Sequence, residues 1–321
     1  MICQNYLILL SEDTLRKKKG IGMNFCFVVN DAYVNHLVVL LTSIFTNNPG
    51  KHNMYVLTNG ISSKSICLLQ EYIVQNNSEL HVIEVDDSCL DGVPLKRKDF
   101  NKTPYYKLLL PQELPCSIDR ILYMDVDMVV KKDLLELYQT DFQGKYLAAV
   151  PDPLVNSRDM AYLQKFHVDL EAGDRYFNSG LILFNLTLFR EKYRVSNALN
   201  YIKENGSTFK FHDQEVLNGL FLKEYIQLKE KYNYLTVFRG IRDMALYCFG
   251  MQKKISTKIY ILHYANPTKP WKQNYIGKYE KEFWKYAEIS PVYNELKANR
   301  RNSIIEQGKA LAASIRRKMK R

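Results

Sequence analysis

Short apolar runs alternate with amphipathic stretches along most of the chain. FCFVVN (25–30), MYVLT (54–58) and LHVIEV (80–85) have the length and the β-branched and aromatic content of buried strands. The stretches between them, 35–46 and 62–76, carry apolar residues at helical spacing. A turn-rich region, 86–103, leads to a short predicted helix, YYKLLLP (105–111). RILYMDVDMVV (120–130), LAAVPD (147–152) and SGLILFNL (179–186) predict three more strands. VSNALNYIKEN (195–205) and DQEVLNGLFL (213–222) predict helices, and KIYILHY (258–264) is the last strong strand, ended by ANPTKPW. Strands alternating with helices argue for an α/β fold: a mostly parallel sheet with helices on its faces. After Trp284 the pattern fades into a polar, basic, helix-prone tail.

A chain of 321 residues can build all of this around one main sheet. We divide it into an N-terminal extension (1–22), one α/β domain (23–290) and a basic tail (291–321). The opening MICQNYLILL is weakly apolar, but its positive residues, Arg16 to Lys19, follow it, the wrong order for a secretory signal. It is also too short to span a bilayer. None of the six cysteines forms a CxxC pair, which points to reduced thiols in a cytoplasmic protein and away from structural zinc. Of the net charge of +11, +7 lies in residues 294–321, which hold nine Lys or Arg against Glu295 and Glu306. There Ile304, Leu311, Ile315 and Met319 fall near one helical face with positive residues around them, a pattern suited to an anionic membrane surface. No aromatic follows Tyr293, so stacking on a nucleic acid is disfavoured.

Two aspartates interrupt the run YMDVDMVV (123–130). In a continuous strand Asp125 and Asp127 face the same side and repel unless a positive group lies between them. Oxygen ligands suit Mg²⁺ or Mn²⁺. His263, at the end of an apolar strand, would add a nitrogen and tilt the choice towards Mn²⁺. Lys269 follows in a proline-bracketed loop and is a natural phosphate partner. Each feature also has a structural explanation: a solvated strand end, a Pro–Trp anchor, a helix-capping Asp213, a turn at Asn178-Ser179-Gly180. No GxGxxG and no GxxxxGK[ST] is present, which disfavours dinucleotide dehydrogenases and P-loop enzymes.

Taken together and in this order, YMDVDMVV, FNSGLILFNL (177–186), HDQEVLNGLF (212–221) and HYANPTKPW (263–271) resemble the D-x-D strand, N-[AS]-G strand, D-Q helix and His-x₅-Lys-Pro-Trp loop of glycosyltransferase family 8. Members are retaining transferases of the GT-A fold, a mixed sheet flanked by helices, that use a nucleotide-sugar donor. They include the bacterial lipopolysaccharide and lipooligosaccharide galactosyl- and glucosyltransferases. The resemblance runs from about Asn24 to about Trp284. It implies that Asp125, Asp127 and His263 bind Mn²⁺, with Mg²⁺ as the alternative, and that the ion holds the donor diphosphate. It places Lys269 and Asn266 at that diphosphate, Val28, Asn30 and Tyr33 at the uracil, and Lys107 on the donor side. Asp213 and Gln214 come beside the transferred sugar, and Asp152 and Asn178 near the acceptor. The implied reaction moves galactose or glucose from a UDP-hexose to a cell-surface glycan or glycolipid, on the inner face of the cell membrane.

Three positions depart from the family pattern. Many relatives have Asp where Asn30 stands and Asn where Ala32 stands. Asn30 still offers a carbonyl to a uracil N–H. Lys107 occupies a usual arginine position, keeping the charge without the planar fork. Asn266 stands where Gly is frequent. Two readings from other classes compete. One is a non-catalytic UDP-sugar-binding or scaffold protein of the same fold. The other is a phosphoryl or nucleotidyl transferase, which would lack a phosphate-cradling glycine loop. Retention of Asp125, Asp127, Asp213, Gln214 and His263 speaks against the scaffold.

Overall fold

The computed structural model describes residues 22–93, 102–157, 170–171, 173–249 and 256–301. The expected N-terminal extension, apart from Gly22, and the apolar stripe of the tail fall outside these residues.

The strands of the main sheet are β1 (Asn24–Val28), β2 (Asn53–Thr58), β3 (Glu79–Glu84), β4 (Arg120–Met124), β6 (Leu147–Pro151), β7 (Phe177–Asn185) and β8 (Tyr225–Gln227). A smaller sheet contains β5 (Met128–Val130), β9 (Tyr234–Leu235) and β10 (Ile261–His263). The larger sheet has the order β3-β2-β1-β4-β7-β6-β8 and the smaller β5-β10-β9. The first four strands of the larger sheet pair in parallel, whereas β7 runs antiparallel to both β4 and β6. The sheet is therefore mixed, with the expected parallel pairing confined to its first half and the β6–β8 edge.

The helices are α1 (Val34–Asn47), α2 (Ser63–Gln75), α3 (Leu186–Lys192), α4 (Val195–Asn205), α5 (Asp213–Phe221), α6 (Ile241–Cys248) and α7 (Glu280–Glu288). Helix α1 is apolar on most of its surface because it is enclosed, with nine residues buried. Its polar C-terminal end is used as well. Ser43 Oγ accepts the Val130 amide at 2.9 Å, and Asn47 Nδ2 reaches the Val130 carbonyl at 3.0 Å and Tyr286 Oη at 2.9 Å. These bonds satisfy the edge of β5 and moor the small sheet to the large one.

Three expectations and one structural explanation need correction. The run 120–130 is not one strand. It breaks over Asp125–Asp127, so that β4 belongs to the large sheet and β5 to the small one. The backbone is handed across: the Asp125 amide donates to Gly180 O at 2.8 Å, and the Tyr264 amide to Asp127 O at 2.9 Å. Asn178-Ser179-Gly180 is not the turn offered as its structural explanation, since it lies within β7, where the pairing with β6 shifts register between Ile182 and Phe177. The strand at 258–264 shortens to Ile261–His263, because only these residues find ladder partners. The helix expected at 105–111 is a 3₁₀ segment, Thr103–Leu108, followed by one α turn, Leu110–Glu113. In the tail, residues 293–301 form a helix whose Leu296 is buried in the main core and whose Arg300 donates to Glu280 at 2.6 Å.

Candidate active site

The break between β4 and β5 lies where the two sheets meet, and β10 brings His263 to the same place. Pairing of β10 with β5 sets His263 opposite Met128, one residue beyond Asp127. His263 Nε2 stands 3.3 Å from Asp127 Oδ1 and 3.9 Å from Asp125 Oδ2. One donor atom from each of Asp125, Asp127 and His263 lies within 4.8 Å of the others. This close approach needs Gly180. A Cβ there would strike the His263 ring carbon Cε1 and lie 2.9 Å from Asp125 Oδ2.

Two lysines neutralise the carboxylates. Lys269 Nζ donates to Asp127 Oδ2 at 2.6 Å and to the Tyr264 carbonyl at 2.9 Å. Burial would raise the Asp127 carboxyl, but Lys269 and His263 outweigh it and hold the group below the usual carboxylate range. Lys107, 2 % exposed, lies 2.8 Å from Asp213 Oδ2 and 3.6 Å from Asp125 Oδ1 and donates to the Ser179 carbonyl at 3.1 Å. Its ammonium also stands 4.4 Å above the Tyr123 ring, whose hydroxyl donates to Asp125 Oδ1 at 2.7 Å. Burial raises the Asp125 carboxyl, Lys107 opposes that, and Asp127 adds to it.

Helix α5 delivers Asp213 and Gln214 against β7. Asn218 ties the two elements together, accepting the Phe177 amide at 2.8 Å and donating to the Phe177 and Gln214 carbonyls at 2.9 and 2.8 Å. Asp213 Oδ2 accepts Ser179 Oγ at 2.7 Å as well as Lys107. Gln214 Oε1 accepts from Asn178 Nδ2 and from the Ser179 amide, each at 3.1 Å. Asp152 caps the turn after β6, accepting the Leu154 and Val155 amides at 2.9 and 3.1 Å, and receives Asn178 Nδ2 at 3.2 Å.

A cavity of about 440 Å³ opens over these groups, within the range of small-molecule sites. Its wall includes the expected Val28, Asn30, Tyr33, Lys107, Asp125, Asp127, Asp213 and Lys269. His263 lies behind the carboxylates, and Gln214, Asn178 and Asp152 form the buried layer beneath Ser179 and Asp213. Asn266 is buried outside the cavity wall, its amide packed beside Gly277. Asn30 Oδ1 accepts the Ala32 amide at 3.1 Å and caps the short turn Asp31–Tyr33. That leaves one of its two lone pairs for another donor.

The sequence reading missed Tyr123, Ser179, Thr103 and Pro104 in the wall, and Asn218 and Asn233 behind it. Tyr123 and Ser179 lay inside the quoted motifs. Tyr123 had a usable signal, since it stands near the end of β4, two residues before Asp125. Nothing local marks Asn233.

The family model for glycosyl transferase family 8 matches residues 24–275. Among curated relatives, general stress protein A of Bacillus subtilis is 25% identical over 82% of this chain and 92% of its own length. Lipopolysaccharide 1,2-glucosyltransferase of Escherichia coli K12 is 25% identical over 78% of this chain and 72% of its own. Among solved structures, the galactosyltransferase LgtC in complex with donor and acceptor sugar analogues superposes with a TM-score of 0.71 at 24% identity, covering 84% of this chain and 96% of that one. The mixed sheet with helices on its faces is thus the GT-A fold of these transferases.

Proposed function

The chain belongs to glycosyl transferase family 8, and from that we propose that it is a retaining hexosyltransferase moving galactose or glucose from a UDP-sugar to a cell-surface glycan or glycolipid. The observation that carries the reading is the meeting of Asp125, Asp127 and His263 beside Lys269 on a cavity whose rim holds Val28, Asn30 and Tyr33.

Two carboxylates and one imidazole within 4.8 Å fit a divalent cation of the Mn²⁺ type, with Mg²⁺ as the alternative. When bound, such an ion supplies Lewis-acid stabilisation to a departing diphosphate. The protein's own part is positional and electrostatic. Lys269 sets a positive charge at the cavity wall beside the aspartates, where a leaving phosphate gathers charge. Val28, Asn30 and Tyr33 line the same cavity and suit the uracil, with Lys107 holding the donor-side carboxylates in place. The buried layer beneath, Asp152 and Asn178 included, supports the acceptor side.

Retention of configuration requires either a covalent intermediate or attack on the face from which the diphosphate departs. Asp213 Oδ2 already accepts two charge-bearing or hydroxyl donors, and Gln214 Oε1 accepts two amide protons. Oxygens so engaged are poor nucleophiles, which leaves Asp213 Oδ1 as the atom a covalent route would need. This supports front-face attack: the C1–O bond to the diphosphate breaks, the acceptor oxygen bonds C1 on the same face, and its proton passes to the departing phosphate oxygen. A glycosyl adduct on Asp213, trapped and seen by mass spectrometry, would overturn it.

Among the described residues no helix is long and apolar enough to cross a membrane. We place the protein in the cytoplasm, docked on the anionic inner membrane face through the basic tail, residues 291–321. Equal sedimentation of full-length and truncated protein with anionic liposomes would remove that placement.

The test of function is UDP release from a panel of UDP-sugars, with Mn²⁺ or chelator, alongside Asp127→Ala. Metal-dependent hydrolysis of one donor, lost in the variant, is expected. Absence both of release and of Mn²⁺-dependent UDP binding would refute the transferase reading. Metal-dependent UDP-sugar binding without turnover, even with acceptor glycans supplied, would favour the scaffold alternative.

A further inference from the structure

We infer that Asn233, which lines no part of the cavity, is a positioning residue that fixes which nitrogen of His263 faces the carboxylates. The inference rests on the metal reading above only for its consequence, not for its geometry.

Asn233 is 1 % exposed and sits between a 3₁₀ turn, Glu230–Tyr232, and β9. Because β9 pairs in parallel with β10, with His263 opposite Leu235, the Asn233 side chain comes alongside the imidazole. Asn233 Oδ1 lies 2.9 Å from His263 Nδ1, and Asn233 Nδ2 donates to Asn178 Oδ1 at 2.8 Å.

The direction of this chain of amides is determined from its far end. The Gly180 amide, a backbone group that can only donate, lies 3.0 Å from Asn178 Oδ1. Asn178 Nδ2 faces Asp152 Oδ2 at 3.2 Å, a carboxylate that accepts when ionised. A donor at one side and an acceptor at the other leave Asn178 one orientation. Its oxygen faces Asn233, so Asn233 must present nitrogen there and oxygen to His263. An oxygen accepts, so His263 Nδ1 carries the proton. Nε2 is then the nitrogen left to face Asp127, at 3.3 Å, where any proton it shares with that carboxylate gives way when an ion takes its place. Sequence-distant Asp152, through two asparagines, thereby sets Nε2 towards the carboxylates before any ion arrives. A partner on the second ring nitrogen characteristically orients and strengthens a metal-binding histidine.

The experiment is ¹⁵N NMR of the imidazole side chains at pH 8 in the metal-free protein. The His263 resonances are identified by their absence in His263→Gln. Wild type should show a proton on Nδ1, and Asn233→Leu should lose that preference while its melting temperature shows that it remains folded. Mn²⁺ titration should show binding about tenfold or more weaker in Asn233→Leu. An Nε2–H tautomer in the wild type, or an unchanged tautomer in Asn233→Leu, would overturn the inference. If Asn233→Leu does not fold, Asn233→Gln and the wild-type tautomer decide. Failure of wild type to bind Mn²⁺ would count against the metal reading alone, since the tautomer is measured without metal.

Discussion

Lys107 Nζ lies 2.8 Å from Asp213 Oδ2 and 3.6 Å from Asp125 Oδ1, so one buried ammonium joins carboxylates delivered by α5 and by the end of β4. Burial would lower its pKa, yet the two aspartates outweigh that and raise it, keeping it charged. Lys107→Met should therefore leave buried Asp213 and half-buried Asp125 without their partner and cost about 3 kcal/mol or more in urea unfolding. Adding Asp213→Asn should restore part of the loss, with a coupling of about 1 kcal/mol or more. Strict additivity of the two single changes would contradict the pairing.

Gly180→Ala tests the close approach of β7 to the metal-binding set. The new methyl would meet the His263 ring and crowd Asp125. We expect overpacking to cost about 1–3 kcal/mol, together with Mn²⁺ binding weakened at least about tenfold. Thermal unfolding and Mn²⁺ titration on the same preparation separate the two effects. Unchanged metal affinity would show that the trio tolerates displacement.

Asn218 gives a test of how α5 is held. It is fully buried and makes three hydrogen bonds, two of them to the backbone of Phe177. Asn218→Ala should leave buried Phe177 and Gln214 backbone groups without that partner, costing about 2–4 kcal/mol. It should also lower turnover, because Gln214 and Asp213 lose their anchor to β7. Full activity in a destabilised variant would separate the tie from catalysis.

His36 makes stability depend on pH. Its ring packs 3.9 Å from that of Trp271, two residues after Lys269. Burial and then nearby Lys272 lower its pKa from 6.5 to about 4. Between those values the unfolded chain binds the proton and the folded chain does not. The stabilisation is therefore complete above about pH 6.5 and is lost as pH falls towards 4. At roughly 1.4 kcal/mol per pH unit, the full effect is at most about 3 kcal/mol. Urea unfolding at pH 5 and pH 7.5 should show the loss in wild type and a smaller one in His36→Leu. Equal losses would assign the pH dependence to other groups.

Much of this was legible in the sequence, for identifiable reasons. β1, β2 and β3 are short runs rich in aromatic and β-branched residues, and their bounds fall within two residues of the expected ones. Asp125, Asp127, Asp213, Lys107 and Lys269 all reach one cavity: Asp213 starts a readable helix, Lys269 follows a readable strand, the two aspartates showed as an interruption of an apolar run, and Lys107 was placed by the family resemblance. The strand break was not legible, because Val129–Val130 continues the apolar run after the aspartates and local composition does not say which sheet a strand joins. Asn266 lay in a motif that placed it near phosphate, whereas its packing beside Gly277 draws it into the protein. Asn233 and Asn218 act through partners 30 and 41 residues away, beyond the reach of local periodicity.

The change of sheet at Asp125–Asp127 has an architectural corollary. The candidate coordinating groups are mounted on a seam between two frameworks, Asp125 and Asp127 in the short link from β4 to β5 and His263 at the end of β10, and not on the longer segments that border the cavity at Thr103–Pro104. Variation in those borders can diversify what the protein acts upon while leaving the seam undisturbed. Conversely, damage to the three-stranded framework, even on its far side at Tyr234, would be felt at the seam, because β9 is the rail along which β10 carries His263 into register.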